Sequence, residues 1–269
     1  MTPHRVKQKL TVGKRAHAPH PAMIKTDWPG LFTSSPRARR ARPGVRRLIL
    51  GGLLVGAVAA LGSAVAAQPS SVVVEDWSKP AGTRGIPPGW QGQKWGSPKY
   101  DFTVVAESPA KVFQLKSDND SSTISREVKI DVKQYPVLQW RWKVAALPPR
   151  GDARKSETDD EAAQLYVTFP RFPTAVRSRI IGYIWDTHAP AGSIFPSAKV
   201  GTITFVVVRS GSADLGTWIT ETRNVHEDYK RIYGEEPGES VGAVSLSSNS
   251  QNTGARAEAF FGEILFRKP

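Results

Sequence analysis

The chain has 269 residues, a formal charge of +13 and no cysteine. The charge sits at one end: of 37 bases and 24 acids, residues 1–47 hold 12 bases and one acid, Asp27, leaving the remainder nearly balanced at 25 against 23. A near-neutral body speaks against nucleic acid as a partner, which requires a basic surface, and the lack of cysteine excludes disulfides, thiol nucleophiles, thiolate metal sites and a lipid-modified cysteine.

Residues 1–47 read as a basic lead, either disordered or placed upstream of the true translation start, which the sequence puts near Val45. Leu48 to Gly62 is apolar, uncharged and rich in Gly and Ala, and short for a membrane span of about 20 residues. Arg46 and Arg47 precede it and Ala64-Val65-Ala66 follows, a small-x-small cleavage pattern. Residues 48–67 therefore read as an export signal cut after Ala66 or Ala67, by the twin-arginine or the general secretory route. An uncleaved anchor is the alternative. Cleavage leaves no stable membrane span and a periplasmic or secreted protein.

Residues 68–269 have the size of one all-β domain. Ser71 to Asp76 reads as a first strand. Trp77 to Pro98 is a Pro- and Gly-rich loop whose Trp90 and Trp95 either stack on sugar rings or pin the loop to the core. Tyr100–Glu107 and Lys111–Lys116 alternate as a hairpin around Ser108-Pro109. Asp118-Asn119-Asp120 has carboxylates at alternate positions but no downstream Gly and Glu at calcium-loop offsets, so it reads as a polar turn. Ser122–Val132 and Val137–Val144 follow. In the second, Leu138, Trp140, Trp142 and Val144 share one face, and Gln139, Arg141 and Lys143 the other.

An acidic knot, Asp159-Asp160-Glu161, leads into the alternating run Gln164–Phe169. This spacing predicts that the two strands lie side by side and that Arg141 pairs with Asp159 or Asp160 across the sheet. Arg179–Asp186 sets Ile181, Tyr183 and Trp185 on one face, and Thr202–Arg209 is dense in β-branched residues, as in a central strand. Leu215–Arg223 carries Ile219, Glu221 and Arg223 on one face. One helix is predicted, capped by Asn224 with Glu227 three residues on and stopped at Gly234. Val241–Ser247 and Ala255–Phe266 close the chain. Many strands and one short helix, without β-α alternation, predict a jelly-roll-like β-sandwich.

No Gly-x-Ser-x-Gly elbow, phosphate loop or His-Glu-x-x-His is present. His188 and His226, the only histidines after the lead, lack partners at ligand spacing, so neither a metal nor a cofactor is expected. The candidate ligand-binding residues are Arg141, Lys143, Asp159, Asp160, Trp90, Trp95, Tyr183 and Arg223. Export, a sandwich pattern and aromatic residues near charge pairs point to a non-catalytic binder of a glycan or other polar envelope component. A glycan-cleaving enzyme using paired carboxylates and a structural envelope protein are the alternatives.

Trp140-Arg141-Trp142-Lys143-Val144, Asp159-Asp160, Tyr183-Ile184-Trp185, Arg223-Asn224-Val225 with Asp228-Tyr229 and Gly234, and Asn252-Thr253-Gly254 through Phe266 resemble the domain of unknown function 3047 family of exported bacterial proteins. The resemblance runs from about Val74 to Phe266 and implies a secreted single domain with no established activity. It also implies an Arg where this chain has Gln164, and acids where it has Ser248 and Ser250, departures that weaken any metal site in the closing loop.

Overall fold

The computed structural model describes residues 69–269. The expected basic lead and export signal lie outside the described residues. Strong alternation gives way to strands wherever it was read, with ends moved by a few residues. In chain order they are β1 (Ser71–Glu75), β2 (Gln91–Gly92), β3 (Phe102–Glu107), β4 (Ala110–Asp118), β5 (Ser121–Ile130), β6 (Val137–Ala146), β7 (Ala163–Phe169), α1 (Thr174–Arg177), β8 (Arg179–Asp186), β9 (Ile194–Pro196), β10 (Ile203–Ser210), β11 (Ile219–Asn224), α2 (Val225–Tyr233), β12 (Val241–Asn249) and β13 (Arg256–Arg267).

Two sheets form. The first runs β11-β6-β13-β4-β3, with β1 added on β13; the second runs β2-β5-β12-β7-β8-β10-β9. All pairings are antiparallel except β10 with β8. The β-sandwich expectation holds. The short helix α1 and the strands β2 and β9 are additions that no periodicity announced, being two to four residues long.

The inner faces meet in one core. Trp140, Trp142, Tyr183, Trp185, Leu165, Val167, Phe261 and Ile264 are fully buried there. Trp142 lies 5.3 Å from Trp140, 5.8 Å from Trp185 and 6.1 Å from Phe261, centroid to centroid, so rings of both sheets interlock. Asn224 caps α2 by accepting from the Glu227 amide at 3.1 Å, and Gly234 ends it at φ 71°, a left-handed position that suits glycine.

The two strands flanking the acidic knot do not lie side by side. β6 pairs with β11 and β13 in the first sheet, whereas β7 pairs with β12 and β8 in the second. The segment between them crosses from one sheet to the other. Arg141 and the knot are therefore on different sheets, and the predicted Arg141 pair with Asp159 or Asp160 does not form. Arg141 lies exposed on the outer face instead, its guanidinium 5.1 Å from the centroid of the Trp218 ring. Arg141→Ala should change the unfolding free energy by under about 0.5 kcal/mol, as surface substitutions do. A double-mutant cycle with Asp160, read by urea denaturation, should return no coupling.

Candidate functional site

The eight candidate residues are not gathered in one place. Trp90 is in the core, its ring 5.8 Å from Trp77 and its indole N–H donating to Glu75 at 2.9 Å, so it pins the long loop rather than offering a face to a sugar. Trp95 is half-buried in the same loop. Tyr183 is fully buried; its hydroxyl donates to Asp228 at 2.8 Å, and Arg223 donates to the same carboxylate from Nε at 2.9 Å. These three residues tie α2 and the edge strand β11 to the second sheet. Arg141 and Lys143 lie on the outer face of the first sheet. Asp160 is fully buried and filled: it accepts from the amides of Asn252 at 3.0 Å and Thr253 at 2.6 Å. It is a staple between the knot and the closing loop, which removes it from the set free to bind.

Asp159 remains, and it leads to a site assembled on the outer face of the second sheet. In β7, Leu165, Val167 and Phe169 point into the core, so Gln164, Tyr166 and Thr168 point outward. Strand register carries a row of residues across this face: Ser125 opposite Ser245, Ser245 opposite Tyr166, Tyr166 opposite Gly182, Gly182 opposite Phe205, and Phe205 opposite Phe195. A Cβ on Gly182 would stand 2.9 Å from both the Tyr166 and the Phe205 rings. Glycine there lets the two rings close over the strand, 6.4 Å apart. Phe205 is buried, while Phe195 and Tyr166 are partly exposed at either side of it.

The knot borders this row. Asn249 holds its backbone, donating from its amide to the Glu161 carbonyl at 3.0 Å and from its side chain to the Asp159 carbonyl at 2.7 Å. Gln164 folds back onto the Glu161 carbonyl at 3.2 Å and accepts the Tyr166 hydroxyl. Lys199 pairs with Asp159 at 3.2 Å and donates to Asn252 at 2.8 Å. Asp186 roofs the neighbouring strands by accepting from the amides of Ala153, His188 and Ala189 at 2.8, 2.6 and 2.6 Å. Gly151, in the loop before the knot, has no room for a side chain: a Cβ would lie 2.3 Å from the Asp160 carbonyl oxygen.

The electrostatics follow from this crowding. Burial, then the neighbouring Asp159 and Asp186, push the pKa of Glu161 well up. Burial raises Asp159 also, opposed by Lys199. Each of the two carboxyls disturbs the titration of the other, as two acids crowded into one shielded spot do. Burial followed by Glu161 and Asp159 pushes the Tyr166 hydroxyl up as well. Among the described residues, no protein donor reaches Asp159 Oδ1, Glu161 Oε1 or, further along the face, Thr168 Oγ1.

A carboxyl whose folded pKa is raised favours the fold below its unfolded pKa and loses that contribution as pH rises through the folded value. Glu161→Gln should therefore leave Tm unchanged at pH 4. At pH 8 it should raise Tm by about 2–4 °C, the shift that 1 kcal/mol gives in a domain of this size. Differential scanning calorimetry at the two pH values checks this; an equal shift at both would assign the effect to packing.

Sequence reasoning named Glu161 and Gln164 without joining them to a site, and missed Tyr166 and Lys199. The outward parity of Gln164, Tyr166 and Thr168 was readable; the Lys199 contact, 40 residues away, was not. No group of three His, Cys, Asp or Glu side chains suited to a metal occurs among the described residues, and no described helix is long and apolar enough to cross a membrane.

A family model described as "Protein of unknown function (DUF3047)" matches residues 88–265. No curated protein matches the chain. Among solved structures, the chain is similar to the family 11 carbohydrate-binding module of the cellulosomal cellulase Lic26A-Cel5E of Clostridium thermocellum. The TM-score is 0.41 at 6% identity, over 76% of this chain and 97% of that one. It is also similar to the CBM22-1 xylan-binding domain of Xyn10C from Paenibacillus barcinonensis, with a TM-score of 0.37 at 10% identity, over 75% and 97% of the two chains. The likeness is one of shape and carries no ligand with it.

Proposed function

We propose that this chain, which belongs to the DUF3047 family, is an exported, non-catalytic binder of a glycan or other polar envelope component. On this reading residues 48–67 deliver it to the periplasm or the exterior, and residues 68–269 form the binding domain. One observation carries the proposal: the partly exposed Tyr166 ring stands in a cross-strand row with Phe205 and Phe195, beside carboxyl oxygens of Asp159 and Glu161 that have no protein donor. An aromatic ring offers an apolar face to sugar C–H groups, and buried acceptors gain from the hydroxyl donors of a polyol. Lys199 supplies a donor at the rim.

The carboxyls also bear on the enzyme alternative. Retaining glycosidases hold their two carboxyl groups about 5–5.5 Å apart and inverting ones further, to admit the sugar or a water. Asp159 and Glu161 are both buried and perturb each other's titration, a crowded pair rather than two carboxyls flanking an open cleft, and this supports binding over cleavage.

Affinity electrophoresis of the exported protein through gels containing single neutral polysaccharides tests the proposal. At least one should retard migration, and Tyr166→Ala should weaken that binding about tenfold or more, with no reducing ends released on long incubation. Retardation by none, or equal retardation of the variant, would overturn the assignment. Release of reducing ends would shift the reading to cleavage.

A further inference from the structure

We infer a second binding surface, on the outer face of the first sheet, that takes a carboxylate-bearing saccharide of the uronic acid class. It stands apart from the row around Tyr166 and does not depend on it. β6 presents Arg141 and Lys143 outward because Trp140, Trp142 and Val144 are claimed by the core. β11 sets Thr220 opposite Arg141, and Trp218 lies just before that strand. β13 sets Phe260 opposite Lys143. Register thus brings two cations and two partly exposed aromatic rings together from two strands, β6 and β13, and the approach to a third, β11.

The geometry is built rather than incidental. The Arg141 guanidinium lies 5.1 Å from the Trp218 centroid, and the Lys143 ammonium lies 5.1 Å from Trp218 and 4.4 Å from Phe260. The Trp218 and Phe260 rings meet edge to face at 6.5 Å. Gly262 makes room for this arrangement, since a Cβ there would stand 3.1 Å from the Arg141 Cβ and 3.8 Å from the Trp218 ring. Lys143 is paired with Glu107. Glu258 is held by Gln114 at 2.5 Å. Arg141 is different: it is exposed and, although the Glu107 carboxylate attracts it, makes no direct ion pair among the described residues, where Glu107 is taken by Lys143.

The chemistry of the occupant follows. A planar guanidinium with its fork free matches a carboxylate through two parallel hydrogen bonds, and its stacking on Trp218 limits its rotation beforehand. The neighbouring Phe260 and Trp218 rings offer apolar contact to the pyranose C–H groups that carry such a carboxylate. Lys143 adds positive charge without a second fork. A neutral sugar or an apolar peptide would leave the Arg141 fork unused, Lys143 being already paired with Glu107.

The probe is polygalacturonate, compared with its fully methyl-esterified form, titrated into the exported protein by calorimetry. Polygalacturonate should bind, and the ester, which keeps the sugar ring and loses the charge, should bind about tenfold more weakly or not at all. Arg141→Gln should abolish the difference. Arg141→Lys, which keeps the charge and loses the fork, should fail to restore it. Tyr166→Ala should leave polygalacturonate binding intact while weakening the neutral glycan, so the two surfaces fail separately. Circular dichroism of the Arg141 variants should match wild type, since the residue is exposed. No binding of polygalacturonate, equal affinity for acid and ester, or full activity of Arg141→Gln would each overturn the assignment; full rescue by Arg141→Lys would overturn the forked contact.

Discussion

Trp142→Ala will lower the unfolding free energy by about 3–5 kcal/mol, the range for truncating a buried aromatic side chain. Trp142 is fully buried and reaches across the sandwich to Trp185 of the other sheet while touching Trp140 and Phe261 of its own. Its indole N–H also donates to Glu221 at 3.2 Å, and Glu221 accepts from Arg209 at 2.7 Å. Truncation therefore opens a cavity between the sheets and removes one donor from a buried carboxylate, and both effects act in one direction. Trp142→Phe separates them: it keeps most of the ring and loses the N–H, and should cost less than half as much. Urea denaturation followed by far-ultraviolet circular dichroism reads both. A loss below about 1 kcal/mol for Trp142→Ala would mean that the inter-sheet contact does not carry the core.

The second large effect lies at Glu75. This carboxylate is 2% exposed and accepts from the amides of Asp76 at 3.1 Å and Trp77 at 3.0 Å. It also accepts from Lys79 at 2.5 Å, the Trp90 indole at 2.9 Å and Arg126 at 2.5 Å. Burial works to raise its pKa, but the hydrogen bonds from Lys79, Trp90 and Trp77 together outweigh burial and leave it lowered. A lowered carboxyl pKa stabilises the fold above the unfolded value, and that contribution is lost as pH falls through the folded one. Glu75→Ala strips five donors of their acceptor at once and should cost about 3–5 kcal/mol, as for breaking a buried pair. Its Tm deficit relative to wild type should narrow on acidification, as wild type loses the same charge. A deficit constant from pH 7 to pH 3 would show that packing, not the carboxylate, holds the loop.

The sandwich was legible because alternation survives in single strands. Leu138, Trp140, Trp142 and Val144 could face only a core, and Asn224 with Glu227 could only begin a helix. Neighbour relations were not legible. Placing the two strands around the acidic knot side by side follows the tendency of consecutive strands to pair, and here the chain crosses between sheets instead. That one crossing separated Arg141 from Asp159 and divided the expected site in two. Trp90 shows a second limit: a tryptophan in a glycine-rich loop reads the same whether it meets solvent or Glu75 and Trp77. The row through Tyr166 draws on residues 125, 245, 166, 182, 205 and 195, an order that only strand register supplies.

The last strand, β13, occupies the middle of the first sheet, with β6 along one side and β4 and then β1 along the other. Ser71 is matched with Arg267, so the first and last described strands must find each other. A nascent chain from which β13 has not yet emerged has the flanks of that sheet and no centre. Assembly of the first sheet must then wait for synthesis to pass Arg267, and it begins with the distant pairings that make β-rich chains slow to fold. During that interval the aromatic residues of β6 and β4 lie open to other chains, the condition that invites aggregation and calls on chaperones.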